Sequence, residues 1–311
     1  MKSYYRVMLG QKSVYAKECF AGNFIGTDFD IHQDLANKLP DTLQEFNKEF
    51  IPVYLAAHPD KNKIGAGLAC GALWTVSKGI QVGDIVLCPD GTGKYRVAEV
   101  SGDYTYEPGK ILFHRRPVNW LNVTIDREDM SEGLQSSTGV PLTVVGPTAI
   151  TNHRQEIERF LGNTVAVPTV IDGAVVEDLY SFALEKHLED FLVQNWAQTD
   201  LGREYDIYSD EGVVVGQQYP TDTGRIDILA VSKDKKKLLV VELKKGRASD
   251  AVVGQILRYM GFVKEQRAEE GQTVHGVIIA HEDDKRIRSA LSMTPNILFY
   301  RYEVSFKLKK G

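Results

Sequence analysis

Asp227, Glu242 and Lys244 are the residues of this sequence whose types and spacing could do chemistry. They stand in GRIDILAVSKDKKKLLVVELKKG, from Gly224 to Gly246, two apolar runs joined by a charged turn. A carboxylate among valines and leucines is costly to bury unless its charge is compensated, and the simplest partner is a metal ion. Side chains two apart on a strand share a face, so Glu242 and Lys244 point the same way while Leu243 turns into the core. A hairpin at KDKK brings Asp227 beside them. The two carboxylates and the carbonyl of Leu243 form an oxygen-rich set suited to Mg²⁺ or Mn²⁺. Phosphodiester hydrolysis is chemistry that such a set serves: a divalent ion activates water and neutralises charge developing on the phosphate. Lys244 would orient or help deprotonate the water and contact the scissile phosphate.

Three strands and two helices are needed to position these groups. VVVGQQY, RIDILAVS and KLLVVELKKG read as strands. DAVVGQILRYMGFVKEQRAEEG reads as a helix, amphipathic through Val252, Val253, Ile256, Leu257, Met260 and Val263. It carries Gln255 and Tyr259 one turn apart and hence on one face, Gln255 to hold a water or Lys244 and Tyr259 to pack or touch the phosphate backbone. Upstream, SFALEKHLEDFLVQNW places Phe182, Leu184, Leu188, Phe191 and Leu192 on one helical face. Glu185 and Glu189 there are four apart, and one of them is a further acidic candidate. VHGVIIAH is a buried strand, DDKRIRSALSM a short helix and ILFYRYEVSFKL a terminal strand.

GRID, VELKKG and VGQILRYM together resemble the nuclease domain of the PD-(D/E)xK superfamily, in its NucS/EndoMS-like and Mrr-like branch, over about the last 130 residues. The resemblance implies a restriction-endonuclease-like α/β/α domain with a mixed sheet. It implies Asp227 and Glu242 as metal ligands, Lys244 as catalytic lysine, Gln255 and Tyr259 as a supporting helix motif, and Glu185 or Glu189 as the upstream acid. Ile226 stands where the superfamily's optional proline would precede the first acid. The bland alternative is an exposed Glu242–Lys244 pair on a surface hairpin. The ordered set, on the right strands and followed by a Q-x-x-x-Y helix, outweighs it.

The first part of the chain has a different pattern. SYYRVMLG and GNFIGTDF read as strands, LPDTLQEFNKEFIPVYLAAH and KIGAGLACGALWTVSKGI as helices, VGDIVLCPDGTGKYRVAEVSGDYTY as two strands about a Pro-Asp-Gly turn, and FHRRPVNWL as a closing strand. The expected product is a small, partly closed β-barrel with a helical insertion. G-D-I-V, G-D-Y-x-Y and H-x-R-x-V-x-W resemble the PUA-like domains of the EVE and SRA type found beside restriction nucleases. Such a barrel can hold a flipped-out base by stacking and edge hydrogen bonds. Candidate walls are Phe24, Phe29, Trp74, Tyr104 and Tyr106, with His114, Arg115 and Arg116 for phosphate or base edge. Tyr104 and Tyr106 share a strand face open to either pocket or packing, whereas Trp120 reads as core. PDGTGK lacks phosphate-loop spacing and reads as a hairpin turn.

The expected organisation is thus α/β, with a PUA-like DNA-reading domain at 1–121, a connecting segment at 122–179 and a nuclease domain at 180–311. With 43% hydrophobic and 25% charged residues the 311-residue chain has the composition of a soluble globular protein, which excludes disordered and fibrous classes. A net charge of -5 excludes a basic nucleic-acid coat, so any DNA surface must be local. Cys19, Cys70 and Cys88 lack zinc spacing, and His187, His275 and His281 lack a metal spacing. The sequence begins without a signal peptide and contains no membrane span, which gives a cytoplasmic expectation. The function expected is metal-dependent DNA endonuclease activity in restriction or anti-phage defence, the first domain sensing modified DNA. The alternatives are a NucS-type repair nuclease acting on mismatched, branched or single-stranded DNA, and a nucleic-acid-binding module whose nuclease domain is inactive or ligand-activated. Cutting both strands with one site per chain calls for a homodimer.

Overall fold

The structure is a computed structural model and describes residues 2–163, 187–283 and 285–303. The chain divides into two compact units, Met1–Pro168 and Thr169–Gly311.

The first unit contains β1 (Tyr4–Val7), α1 (Ala16–Gly22), β2 (Phe24–Thr27), α2 (Leu43–Ala57), α3 (Lys63–Trp74), β3 (Ile85–Pro89), β4 (Lys94–Val100), β5 (Thr105–Tyr106), β6 (His114–Asp126), α4 (Glu132–Thr138), β7 (Val144–Val145), α5 (Thr148–Thr151) and α6 (Arg154–Phe160). One sheet runs β2-β6-β4-β3-β1-β7, with β5 on β6. Its terminal strands β2 and β7 pair with β6 and β1 and not with each other, so the sheet is open where the sequence predicts a partly closed PUA-like barrel. The β1–β3 pair is parallel, which requires a long crossover. α1, β2, α2 and α3 supply it. Thr42 caps α2 in a reciprocal box with Glu45. Phe46 and Phe50, stacked at 4.4 Å, pack there with Ala66, Ala69 and Leu73 of α3 as a second core, so the expected helical insertion is present.

As far as residue 163, the predicted connecting segment belongs to this unit. Strand β6 continues to Asp126, β7 pairs with β1 through Arg6–Val145, and Tyr4 N–H donates to Thr151 Oγ1 at 3.1 Å. The buried guanidinium of Arg6 donates to the carbonyls of Val140, Leu142 and Thr143. A buried cation needs such acceptors, and they come from a segment too short in its elements to announce itself.

The second unit contains α7 (residues 187–194), α8 (Asp200–Glu204), β8 (Tyr205–Ile207), β9 (Ser209–Asp210), β10 (Val213–Val214), β11 (Gln217–Pro220), β12 (Arg225–Ser232), β13 (Lys237–Arg247), α9 (Ala251–Gln266), β14 (Thr273–Glu282), α10 (Lys285–Ser292) and β15 (Ile297–Arg301). The sheet order is β11-β12-β13-β14-β15, with β8 on β12. Pairing is antiparallel from β11 to β13 and parallel from β13 to β15, the mixed sheet expected. One face packs Leu239, Val241, Leu243, Val277 and Ile279 against Leu188, Leu192 and Trp196. The other receives α9: Gly276 has no Cβ, and one built there would meet Met260 Sδ at 2.7 Å and Ile256 Cδ1 at 3.0 Å.

Three local expectations change. VVVGQQY is not one strand, because Gly216 lies so close to β12 that a Cβ would stand 2.2 Å from the Leu229 carbonyl oxygen, and β10 pairs with β9 instead. Phe191 and Leu257, predicted on apolar faces, are exposed. Phe182, Leu184 and the last part of the terminal strand lie outside the described residues. No described helix is long and apolar enough to cross a membrane.

Candidate active site

The β12–β13 ladder runs from Val231–Leu238 to Ile228–Val241 and ends there. One step further, Asp227 stands across from Glu242. The Leu243 N–H, released from backbone pairing with β12, donates instead to Asp227 Oδ2 at 2.8 Å. In an extended strand a residue's N–H and C=O project to the same edge, so the Leu243 carbonyl opens to the Asp227 side. Lys244 Nζ donates to Glu242 Oε1 at 3.0 Å; Glu242 is almost fully buried and Lys244 about one-third exposed. The structure thus brings together Asp227, Glu242, Leu243 and Lys244.

On the other side of β12, Gln217 pairs with Ile228 and Tyr219 with Ile226, which puts Gln218 across from Asp227. Gln218 Nε2 donates to Asp227 Oδ1 at 3.2 Å and also to Glu189 Oε2 on α7. Gln217 Nε2 donates to Glu189 Oε1 at 2.6 Å and to Asp190 Oδ1 at 2.9 Å. Glu189, 3% exposed, reaches the site; Glu185, the other upstream candidate, lies outside the described residues. Burial pushes the Asp227 carboxyl well above its usual range. The neighbouring Glu242 and Glu189 push it further, while the Leu243 N–H and Lys244 oppose them. Burial lowers Arg225, against the pull of Glu189.

Gln255 Nε2 donates to Tyr259 Oη at 3.4 Å. Tyr259 is buried, and its hydroxyl would lie 2.6 Å from a Cβ at Gly224, the residue that turns the chain into β12. Gln255 and Tyr259 thus brace the start of the Asp227 strand. Gln217, Gln218 and Arg225 are not singled out by the sequence: a tandem of glutamines after a glycine reads as polar strand or loop, and Arg225, though inside GRID, gives no sign that it sits near Glu189.

Among the described residues no three His, Cys, Asp or Glu side chains converge as a ready ligand group. The donor set that fits a cation is two carboxylates and a carbonyl. A hard divalent ion suits it, since Mg²⁺ is held by one or two carboxylates and keeps several waters, and of the burial and neighbouring acids that raise Asp227, the repulsion between acids is what a cation would relieve.

In the first unit the candidate ligand-binding residues have internal partners. His114 is fully buried between Tyr104 Oη and the Ile31 carbonyl, both at 2.8 Å, and burial lowers it to about 4. Arg116, also buried, donates to the carbonyls of Val76, Ile80 and Gly102. Arg115 donates to Ile111 and Leu112 and lies 3.8 Å over the Phe24 ring. Phe29, Trp74 and Tyr104 pack, half-buried, on the α2–α3 core, and Tyr106 meets Phe113 edge-on. Tyr104 and Tyr106 both come against His114; Trp74 donates separately to the Pro40 carbonyl.

Residues 185–305 match the family model described as Endonuclease NucS C-terminal domain, and residues 5–143 match one described as Domain of unknown function (DUF8426). Endonuclease NucS of Corynebacterium aurimucosum is 28% identical over 187 residues, 56% of this chain and 69% of that protein. Among solved structures, a repair endonuclease from Pyrococcus abyssi aligns at 16% identity with a TM-score of 0.31, covering 69% of this chain and 66% of that one. An EndoMS-dsDNA2 complex aligns at 17% identity and TM-score 0.32, covering 68% and 79%. The matched span of the second unit contains all of Glu189, Gln218, Asp227, Glu242 and Lys244, and over that span this unit is similar to the NucS C-terminal domain.

Proposed function

We propose that the protein is a divalent-metal-dependent DNA endonuclease of NucS type, acting on mismatched, branched or single-stranded DNA as a homodimer. The observation that carries this is the row Gln218–Asp227–Glu242 across three strands, a half-buried Asp227 beside a buried Glu242 that holds one lysine, within the span similar to the NucS C-terminal domain. Asp227, Glu242 and the Leu243 carbonyl would hold Mg²⁺ or Mn²⁺, which supplies Lewis acidity to the attacking water and to the phosphate. Leu243 N–H and Gln218 fix the two oxygens of Asp227, so the carboxylate keeps one orientation. Lys244, tethered to Glu242 and reaching solvent, aligns the water and meets the phosphate charge. Tyr259 and Gln255 hold the Gly224 turn from which Asp227 is aimed.

NucS-type repair is the preferred setting over restriction of modified DNA. The relative named Endonuclease NucS supports it, and His114, Arg115 and Arg116, expected at a base pocket, give their side-chain hydrogen bonds to groups inside the first unit. Cleavage of a panel of mismatched, branched, single-stranded and modified DNA with Mg²⁺ or Mn²⁺ tests the reading. Activity should vanish in Asp227→Ala and Lys244→Ala. Cleavage confined to modified duplex would favour restriction, and binding without cutting under either metal would reject the nuclease. Sedimentation as a monomer on cleavable duplex would remove the homodimer.

A further inference from the structure

Gln218 combines two unusual features. Its φ of 52° lies in the left-handed region, which a residue with a Cβ enters at about 1–2 kcal/mol. Neighbouring side chains on a regular strand point to opposite faces, yet Gln217 and Gln218 both donate to Glu189. The turned backbone at Gln218 accompanies this departure from strand alternation. A carboxamide nitrogen has two N–H groups, and Gln218 Nε2 gives one to Glu189 and one to Asp227. Glu189 belongs to α7 and Asp227 to β12, so this one amide joins two elements at their acids. It does so without charge. A lysine or arginine in the same place would orient the carboxylates and also cancel them, competing with a cation. An amide orients them and leaves their charge to attract one.

We propose that Gln218 is a positioning residue that couples Glu189 to Asp227 and thereby sets the affinity of the site for a divalent cation. The proposal rests on the metal-dependent reading above and extends it to a residue that supplies no ligand atom. Strained backbone kept at a site of this kind is consistent with such a role, and outer partners of metal ligands typically account for 10- to 100-fold in affinity.

The test is a Mn²⁺ titration of the full chain, followed by the electron paramagnetic resonance of free Mn²⁺, for wild type, Gln218→Gly and Asp227→Ala, with thermal melts in chelator. Glycine accepts the left-handed φ freely, so Gln218→Gly should melt no lower than wild type while binding Mn²⁺ about tenfold more weakly. Should that variant unfold, Gln218→Asn, which tolerates the same φ but is one methylene too short to span both acids, carries the same expectation. Binding equal to wild type in the folded variant overturns the role of Gln218 while leaving the metal site standing. No saturable binding in wild type, or equal binding in Asp227→Ala, overturns the metal site itself and the proposal with it.

Discussion

Asp227 has a folded carboxyl held above its ordinary value of 3.8, so the native state keeps this proton to higher pH than the unfolded chain does. Ionising it weakens the fold, the loss beginning near the ordinary value and becoming complete above the raised one. In chelator, Asp227→Ala should therefore gain in melting temperature relative to wild type as pH rises through that window. Mn²⁺ or Mg²⁺ should raise the melting temperature of wild type and not of the variant. Equal pH dependence of the two melts would contradict the crowding of acids described here. His114 has the opposite sign. Its folded value of about 4 lies below the ordinary 6.5, so its contribution is present above 6.5 and is lost as pH falls toward 4. Melts of the first unit should weaken over that interval, and His114→Gln should flatten the dependence. Glu242 and Lys244 were legible because period-two alternation assigns them one face, and Asp227 because a short charged turn folds its strand back beside them. Gln218 was not, since its role depends on a left-handed φ and on an acid almost thirty residues away.

Strand β12 is aimed by a contact from α9. Gly224→Ala would put a Cβ 2.6 Å from Tyr259 Oη, and overpacking of this kind destabilises by about 1–3 kcal/mol. Tyr259→Phe in the same chain should restore part of that loss in denaturant melts, a coupling that independent sites would not show. Strands β12, β13 and β14 could be read from sequence as apolar runs bounded by charged or turn residues, and helix α9 from the period that its one buried face imposes. Of the short elements of 122–163 only α6 could, since RQEIERFLG reads as a short helix. Two-residue β7 and four-residue α5 have no period to read, and they exist because Arg6 and Tyr4 supply their partners. The parallel β1–β3 pairing was hidden for a related reason: it joins residues about eighty apart, and nothing local marks it.

On the nuclease function proposed above, a chain of net charge -5 would meet DNA only where basic residues gather. The second unit offers them at the ends of its parallel strands: Lys244, Ala280 and Arg301 share one row, with Lys245 and Arg247 just beyond. With two or three phosphate contacts, affinity for duplex should fall roughly ten- to a hundredfold between 50 and 200 mM salt. A salt-independent affinity would show that phosphates are not what this edge meets. The pattern changes along the chain between two regions, and the weakly patterned residues 122–163 give no sign in sequence that they pack with the first unit, because what ties them there is β1, more than a hundred residues earlier.

All three cysteines of the chain, Cys19, Cys70 and Cys88, lie in that first unit and are buried, and burial pushes the Cys19 thiol up to about 12. Nucleophilic sulfur is thus absent from one half of the molecule and latent in the other. Alkylating reagents added to the native protein will consume thiol only as fast as the first unit breathes. The rate of that reaction, followed with and without DNA, is a built-in clock for one half of the molecule that the other half cannot disturb by chemistry of its own.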